Sequence, residues 1–142
     1  MPAAPVDYSS RITRLQSAMN RLRFSAILLE PGAAMSYFLG IPWGRSERPF
    51  LAIIGASGAP VYVLPGFEEM RAKELIHVAG PILTWQEDES PYALAAKAVG
   101  SGARVGVENS VRFFVVDGIQ RLAPHAVFDD AEPALDGAGI NS

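Results

Sequence analysis

Apolar residues at Ile12, Leu15, Ala18, Met19 and Leu22 recur every three or four positions and predict a helix over residues 11–23. Arg11, Arg14, Asn20 and Arg21 fall on its solvated side, and Ser9 or Ser10 can cap it. The run S-A-I-L-L at residues 25–29 is continuously apolar and too short for a helix, which predicts a strand buried on both faces. Glu30-Pro31-Gly32 stops it. Residues 32–40 fit a helical turn or an extended segment. The apolar runs at residues 50–56 and 61–64 flank Ser57-Gly58-Ala59-Pro60, which predicts an antiparallel hairpin with Pro60 at a strand entrance.

Beyond the hairpin, residues 67–78 predict a helix with Glu68 and Glu69 at its N-terminus and Ala72, Leu75, Ile76 and Ala79 on the buried side. Residues 81–85 make a short strand. Ser90-Pro91 opens a helix carrying Leu94, Ala95, Ala98 and Val99, and Gly100-Ser101-Gly102 closes it. R-V-G-V-E at residues 104–108 is a strand, after which Asn109 or Ser110 caps a helix carrying Val111, Phe114, Val115, Gly118, Ile119 and Leu122. Pro124 stops that helix, and residues 126–128 form a last strand. Residues 131–142 show no period and are expected to be a linker or frayed end. Strands alternating with helices around one hairpin give an α/β chain: a mixed sheet with helices on both faces and no internal repeat.

Composition narrows the chemistry. A chain of 142 residues suits one domain with a proper core, and 49% hydrophobic against 19% charged residues excludes a disordered tail. The absence of cysteine removes disulfide frameworks, thiolate metal sites and a cysteine nucleophile. His77 and His125, far apart in the chain, make a histidine metal cage improbable. A net charge of -3 gives no reason to expect nucleic acid. The first eight residues lack a basic segment followed by an apolar one, and the longest apolar stretch, residues 50–56, is far short of the roughly 20 that span a bilayer. A soluble, cytoplasmic protein is expected.

Catalytic fingerprints are missing as well. No G-x-G-x-x-G or P-loop follows the first strand, and Gly55-Ala56-Ser57-Gly58 breaks the spacing of a nucleophile elbow. Glu87-Asp88-Glu89 reads as a solvated acidic loop. One segment exceeds what a connection needs: residues 41–49 combine two prolines with Trp43, Arg45, Glu47 and Arg48. Aromatic and arginine side chains on a proline-fixed loop suit a recognition surface. An Arg-Glu salt-bridged loop with Trp43 folded into the core weighs about equally.

R-I-T-R-L-Q-S-A-M (residues 11–19), A-I-L-L-E-P-G (26–32), S-Y-F-L-G (36–40), S-E-R-P-F-L (46–51) and R-V-G-V-E (104–108) occur in this order. Together they resemble the N-terminal domain of the creatinase/prolidase/aminopeptidase P family. The resemblance implies a ribonuclease H-like α/β fold with a mixed sheet of about six strands, spanning residues 1–133, with residues 134–142 as linker or disordered end. It implies a noncatalytic domain that supports dimerisation and shapes access to the active site of a Xaa-Pro dipeptidase or aminopeptidase, or of a relative acting on creatine or another small substrate. The parent's two divalent ions, Mn, Co or Zn, would sit in a C-terminal catalytic domain that is this domain's partner. None of the family's Asp, Asp, His, Glu, Glu ligands maps onto this chain, so neither catalytic residues nor metal ligands are expected in it. By position, Tyr37, Trp43, Arg45, Glu47 and Arg48 are the candidates to gate a proline-containing peptide. The alternative is a stand-alone binding or interaction module of the same fold.

Overall fold

The computed structural model describes residues 5–101 and 104–141. Its strands are β1 (Ala26–Leu29), β2 (Leu51–Gly55), β3 (Val61–Pro65), β4 (Ile82–Trp85), β5 (Arg104–Val107) and β6 (Val127–Asp130). They form one sheet in the order β4-β3-β2-β1-β5-β6. β1 pairs antiparallel with β2, and β2 with β3, while the β3–β4, β1–β5 and β5–β6 pairs are parallel. The expected mixed sheet of six strands with an internal hairpin is therefore the observed one.

The helices are α1 (Tyr8–Leu22), α2 (Ala33–Leu39), α3 (Glu69–Leu75), α4 (Pro91–Val99), α5 (Phe113–Leu122) and α6 (Glu132–Gly137). Strand side chains alternate between two cores, as a period of two requires. Ile27, Leu29, Ala52 and Ile54 meet α1, α2, α3 and α6 on one face, whereas Ala26, Leu28, Leu51 and Ile53 meet α4 and α5 on the other. Central β1 is thus apolar at every position and buried throughout.

Where local pattern and structure differ, tertiary contacts decide. α1 starts earlier than its period suggested and is capped by Asp7, whose carboxylate accepts from the Ser10 N–H at 3.0 Å, not by Ser9 or Ser10. Residues 33–39, ambiguous in pattern, are helical because Ala34, Met35, Phe38 and Leu39 all find the core. Gly40 ends that helix at φ 69° with the Tyr8 ring packed on it, leaving no room for a Cβ.

The third helix is shorter than expected. Only Ala72 is buried in α3, and Ile76 leaves it in an extended conformation. Leu75 and Ile76 are half-buried, and Ala79 is exposed. The chain is held away from helix there because Gly80 lies against the Pro60 carbonyl, where a Cβ would collide, and the Tyr62 hydroxyl donates to the Val78 carbonyl at 2.6 Å. Burial pushes the Tyr62 phenol far above its ordinary value near 10. An acid whose pKa is raised by folding stabilises the protein below its unfolded value, and that stability is lost as pH rises past it. Tyr62→Phe should therefore lower stability by about 1 kcal/mol at pH 7. It should also flatten the fall above pH ~10, measured by urea unfolding on either side of that value.

α4 starts as predicted, with the Ser90 hydroxyl accepting from the Ala93 N–H at 3.3 Å. It ends at Gly100, while Gly102, expected to share in that stop, lies outside the described residues. α5 begins after Arg112, so Val111 precedes it, and neither Asn109 nor Ser110 caps it. Only Val115 and Ile119 of its expected apolar face are buried, and Phe114 and Leu122 stay exposed.

The end of the chain is not a linker. α6 and its flanks bury Ala131, Ala134, Leu135 and Ala138 against the α1 face. These positions are i, i+3, i+4 and i+7, a helical period carried mostly by alanines, whose small side chains let α6 lie close to α1. Ser142 lies outside the described residues.

Candidate functional site

The carboxyl ends of β1, β3, β4 and β5 lie at one end of the sheet, where residues 41–49 also enter β2. Glu30 follows β1 directly and is only 1% exposed. Its carboxylate accepts from the Arg112 backbone N–H at 2.9 Å and from the Arg112 guanidinium at 2.7 Å through Nη2 and 3.2 Å through Nε. The hydrogen bond to Glu30 raises the Arg112 pKa above its ordinary value, more than burial lowers it. The same Nη2 donates to the Ser46 carbonyl at 2.8 Å. One buried pair therefore fastens three segments: the end of β1, the 41–49 loop and the start of α5.

Arg45 adds a second clasp. Its Nε donates to the Pro31 carbonyl at 2.8 Å, Nη1 to the Ser110 carbonyl at 2.6 Å and Nη2 to the Ser110 hydroxyl at 2.7 Å. Ser110 in turn donates to Glu108. This engagement also explains why Ser110 does not cap α5. Trp43 packs on Phe50, with ring centroids 4.7 Å apart, and the Arg71 guanidinium lies 4.6 Å from the Trp43 ring. Arg48 pairs with Glu87 at 2.6 Å and sits 5.1 Å from the Phe67 ring centroid. Both partners of that ion pair are well exposed, so it contributes little to stability. The Ser46 hydroxyl holds the Arg48 backbone at both its N–H and its carbonyl. Glu47 is exposed.

Of the five candidates, the structure thus brings Trp43, Arg45, Glu47 and Arg48 into one braced loop. Trp43 is turned toward the core and Arg45 is occupied by loop carbonyls. Tyr37 belongs elsewhere: Arg11 lies 3.9 Å from its ring centroid and donates to its carbonyl at 2.7 Å, and its hydroxyl donates to the Gly139 carbonyl at 3.2 Å. Sequence reasoning passed over Glu30 and Arg112. The available signal was an acid set directly after a fully apolar strand and before Pro-Gly, a place where a charge must find a partner.

No histidine hydrogen-bonds a serine or an acid among the described residues. His77 stacks on Tyr8 at 5.1 Å between centroids, and the His125 ring meets the Gly100 carbonyl at 2.8 Å. No group of three or more acids and histidines that would hold a metal occurs among the described residues, so the side chains present do not fit a pair of divalent ions. An open groove of about 340 Å³ lies beside Val107, Glu108, Asn109, Phe128 and Asp130. Its acids are already engaged: Glu108 by Ser110, Asp129 by Arg104 at 3.2 Å and Asp130 by the Glu132 N–H at 2.9 Å. No described helix is long and apolar enough to cross a membrane.

Comparison with known proteins places the sequence and the fold. The sequence is 34% identical to an uncharacterised peptidase of Schizosaccharomyces pombe, over 80% of this chain and 28% of that protein. The fold matches dipeptidase PepE of Mycobacterium ulcerans with a TM-score of 0.80 at 24% identity, over 91% of this chain and 35% of the other. It matches the prolidase of Thermococcus sibiricus with a TM-score of 0.81 at 21% identity, over 93% and 36% respectively. A proline dipeptidase structure from Streptococcus pneumoniae gives 0.79 at 18% identity, over 92% of this chain and 98% of that one. The chain thus spans about a third or less of the peptidase from S. pombe and of the longer solved chains. Residues 11–138 carry the pattern of the creatinase/prolidase N-terminal domain, and the chain belongs to that family.

Proposed function

We propose that this chain is the noncatalytic N-terminal domain of a metal-dependent Xaa-Pro peptidase, acting in the cytoplasm, where it supports dimerisation and shapes access to the active site. The observation that carries this reading is the match over residues 11–138 to a domain that makes up about a third of the longer prolidase and dipeptidase chains. The two divalent ions, Mn, Co or Zn, then belong to the C-terminal catalytic domain, which is this domain's partner. The braced 41–49 loop supports a gating role, because a fixed loop presenting Arg48 and Glu47 selects among peptides at small entropic cost.

The second reading is a stand-alone interaction module of the same fold; the solved S. pneumoniae chain, which this fold covers almost completely, supports only that a domain of this size folds without a catalytic half.

Gating is tested in a protein that carries the catalytic domain. Arg48→Ala should raise KM for a Xaa-Pro peptide by about 3- to 10-fold and leave kcat and Tm in place, because both partners of the Arg48 side chain, Glu87 and the Phe67 ring, are exposed. An unchanged KM would remove the loop from the substrate path.

A further inference from the structure

Residues 138–141 are tied down at a place where a helix end would ordinarily fray. Gly139, at φ 93°, turns the chain back after α6. Its N–H donates to the Asp136 carbonyl at 3.0 Å and the Ile140 N–H to the Leu135 carbonyl at 3.3 Å, the paired bonds of a Schellman turn. Ile140 packs on the core that holds Leu135, which is the apolar contact such a turn favours. From α1, Arg14 Nε donates to the Ala138 carbonyl at 3.5 Å, and from α2 the Tyr37 hydroxyl donates to the Gly139 carbonyl at 3.2 Å. The Asn141 amide reaches Asp136. Tyr37, half-buried, is itself fixed. The Arg11 guanidinium lies 3.9 Å from its ring centroid and donates to its backbone carbonyl at 2.7 Å, and the Phe38 ring stands edge-on to it with centroids 4.9 Å apart. Arg11 also lies 5.6 Å from the centroid of the Tyr8 ring, which packs on Gly40. One aimed hydroxyl thus joins the first turn of α1, the end of α2 and the exit of the chain.

We infer that Tyr37 is a positioning residue: braced by Arg11, it fixes the direction in which the polypeptide leaves this domain, and so the place of the 41–49 loop relative to a catalytic domain that follows. This deepens the proposed function and rests on its reading of the chain as the N-terminal part of a peptidase, since the longer relatives carry further polypeptide and the matched pattern is that of an N-terminal domain. It gives Tyr37 a part other than contact with the peptide. The lever is long. A swing of about 10° at the exit displaces a point ~30 Å away, one domain diameter, by about 5 Å. A misplacement of about 1 Å can already cost a reaction ~100-fold. A gating loop therefore needs a stiff exit, and the Gly137-Ala138-Gly139 stretch left to itself would be a pliant one.

Tyr37→Phe tests this, because it keeps the ring on Arg11 and removes only the hydroxyl. Tyr62→Phe, which takes a tyrosine hydroxyl from the Val78 carbonyl instead, is the control. In the 142-residue chain, the Ile140 amide should exchange about 5-fold faster in Tyr37→Phe and at the wild-type rate in the control. In the protein that carries the catalytic domain, a spin label at Lys97→Cys, an exposed position on α4, is paired with one on that domain. This chain has no cysteine to compete for the label. The distance distribution should broaden by about 5 Å in Tyr37→Phe and keep its width in the control. Unchanged exchange, or faster exchange with no broadening, would overturn the positioning role while leaving the proposed function in place. Broadening as expected in a protein that hydrolyses no Xaa-Pro peptide would support the positioning role and overturn the proposed function.

Discussion

Arg112→Ala is expected to lower the unfolding free energy by about 3–5 kcal/mol at pH 7. Glu30 is fully enclosed, and the guanidinium is the cation that compensates it. Removing Arg112 leaves that carboxylate with one backbone N–H, far from the hydration it would have in the unfolded chain. The Arg112 side chain is 28% exposed, so water entering the vacated space places the cost toward the lower end of the range. Replacing both partners, Glu30→Met with Arg112→Met, should recover most of the loss, since a well-packed apolar pair carries no desolvation cost. Urea unfolding of the three variants measures this. A single-variant cost below about 1 kcal/mol would mean that the pair is solvated. The Arg112 variant should also release the Ser46 carbonyl and with it the 41–49 loop, raising amide exchange at residues 44–48.

Leu135→Asp should be at least as damaging, at about 4 kcal/mol or more. Leu135 is 1% exposed and belongs to the same core as Leu15, Met19 and Phe38. A carboxylate there has no partner in the apolar face that packs α6 on α1, and the Arg14 Nε bond to the Ala138 carbonyl, at 3.5 Å, is left to hold the short helix. Leu135→Ala, which leaves a cavity without a charge, should cost about 2–4 kcal/mol. Thermal unfolding separates the two readings of this segment. A linker or frayed end would tolerate either change within about 0.5 kcal/mol, as exposed positions do.

These two predictions mark what the sequence did and did not reveal. β1, the β2–β3 hairpin and α4 were legible because each is specified locally, by a four-residue apolar run, a Ser-Gly-Ala-Pro turn and a Ser-Pro start. α6 was hidden because its buried positions are mostly alanine, which also fills linkers, so the period at 131, 134, 135 and 138 gave little hydrophobic contrast. α5 was overread for the opposite reason. Phe114 and Leu122 fit the period, yet the structure leaves them exposed, and periodicity cannot tell a face that meets the core from one that meets solvent. The candidate loop was legible as a segment, through Trp43, Arg45, Glu47 and Arg48, whereas its fastening was not. Glu30 and Arg112 are 82 residues apart, and their pairing is a product of β1 lying beside β5.

The claim that this domain carries none of the peptidase chemistry is tested most directly by assaying the purified 142-residue chain for hydrolysis of Xaa-Pro dipeptides and longer Xaa-Pro peptides with Mn, Co or Zn added. The account predicts no turnover above the metal-only blank, together with a folded circular dichroism spectrum. Metal-dependent hydrolysis by this chain alone would contradict it.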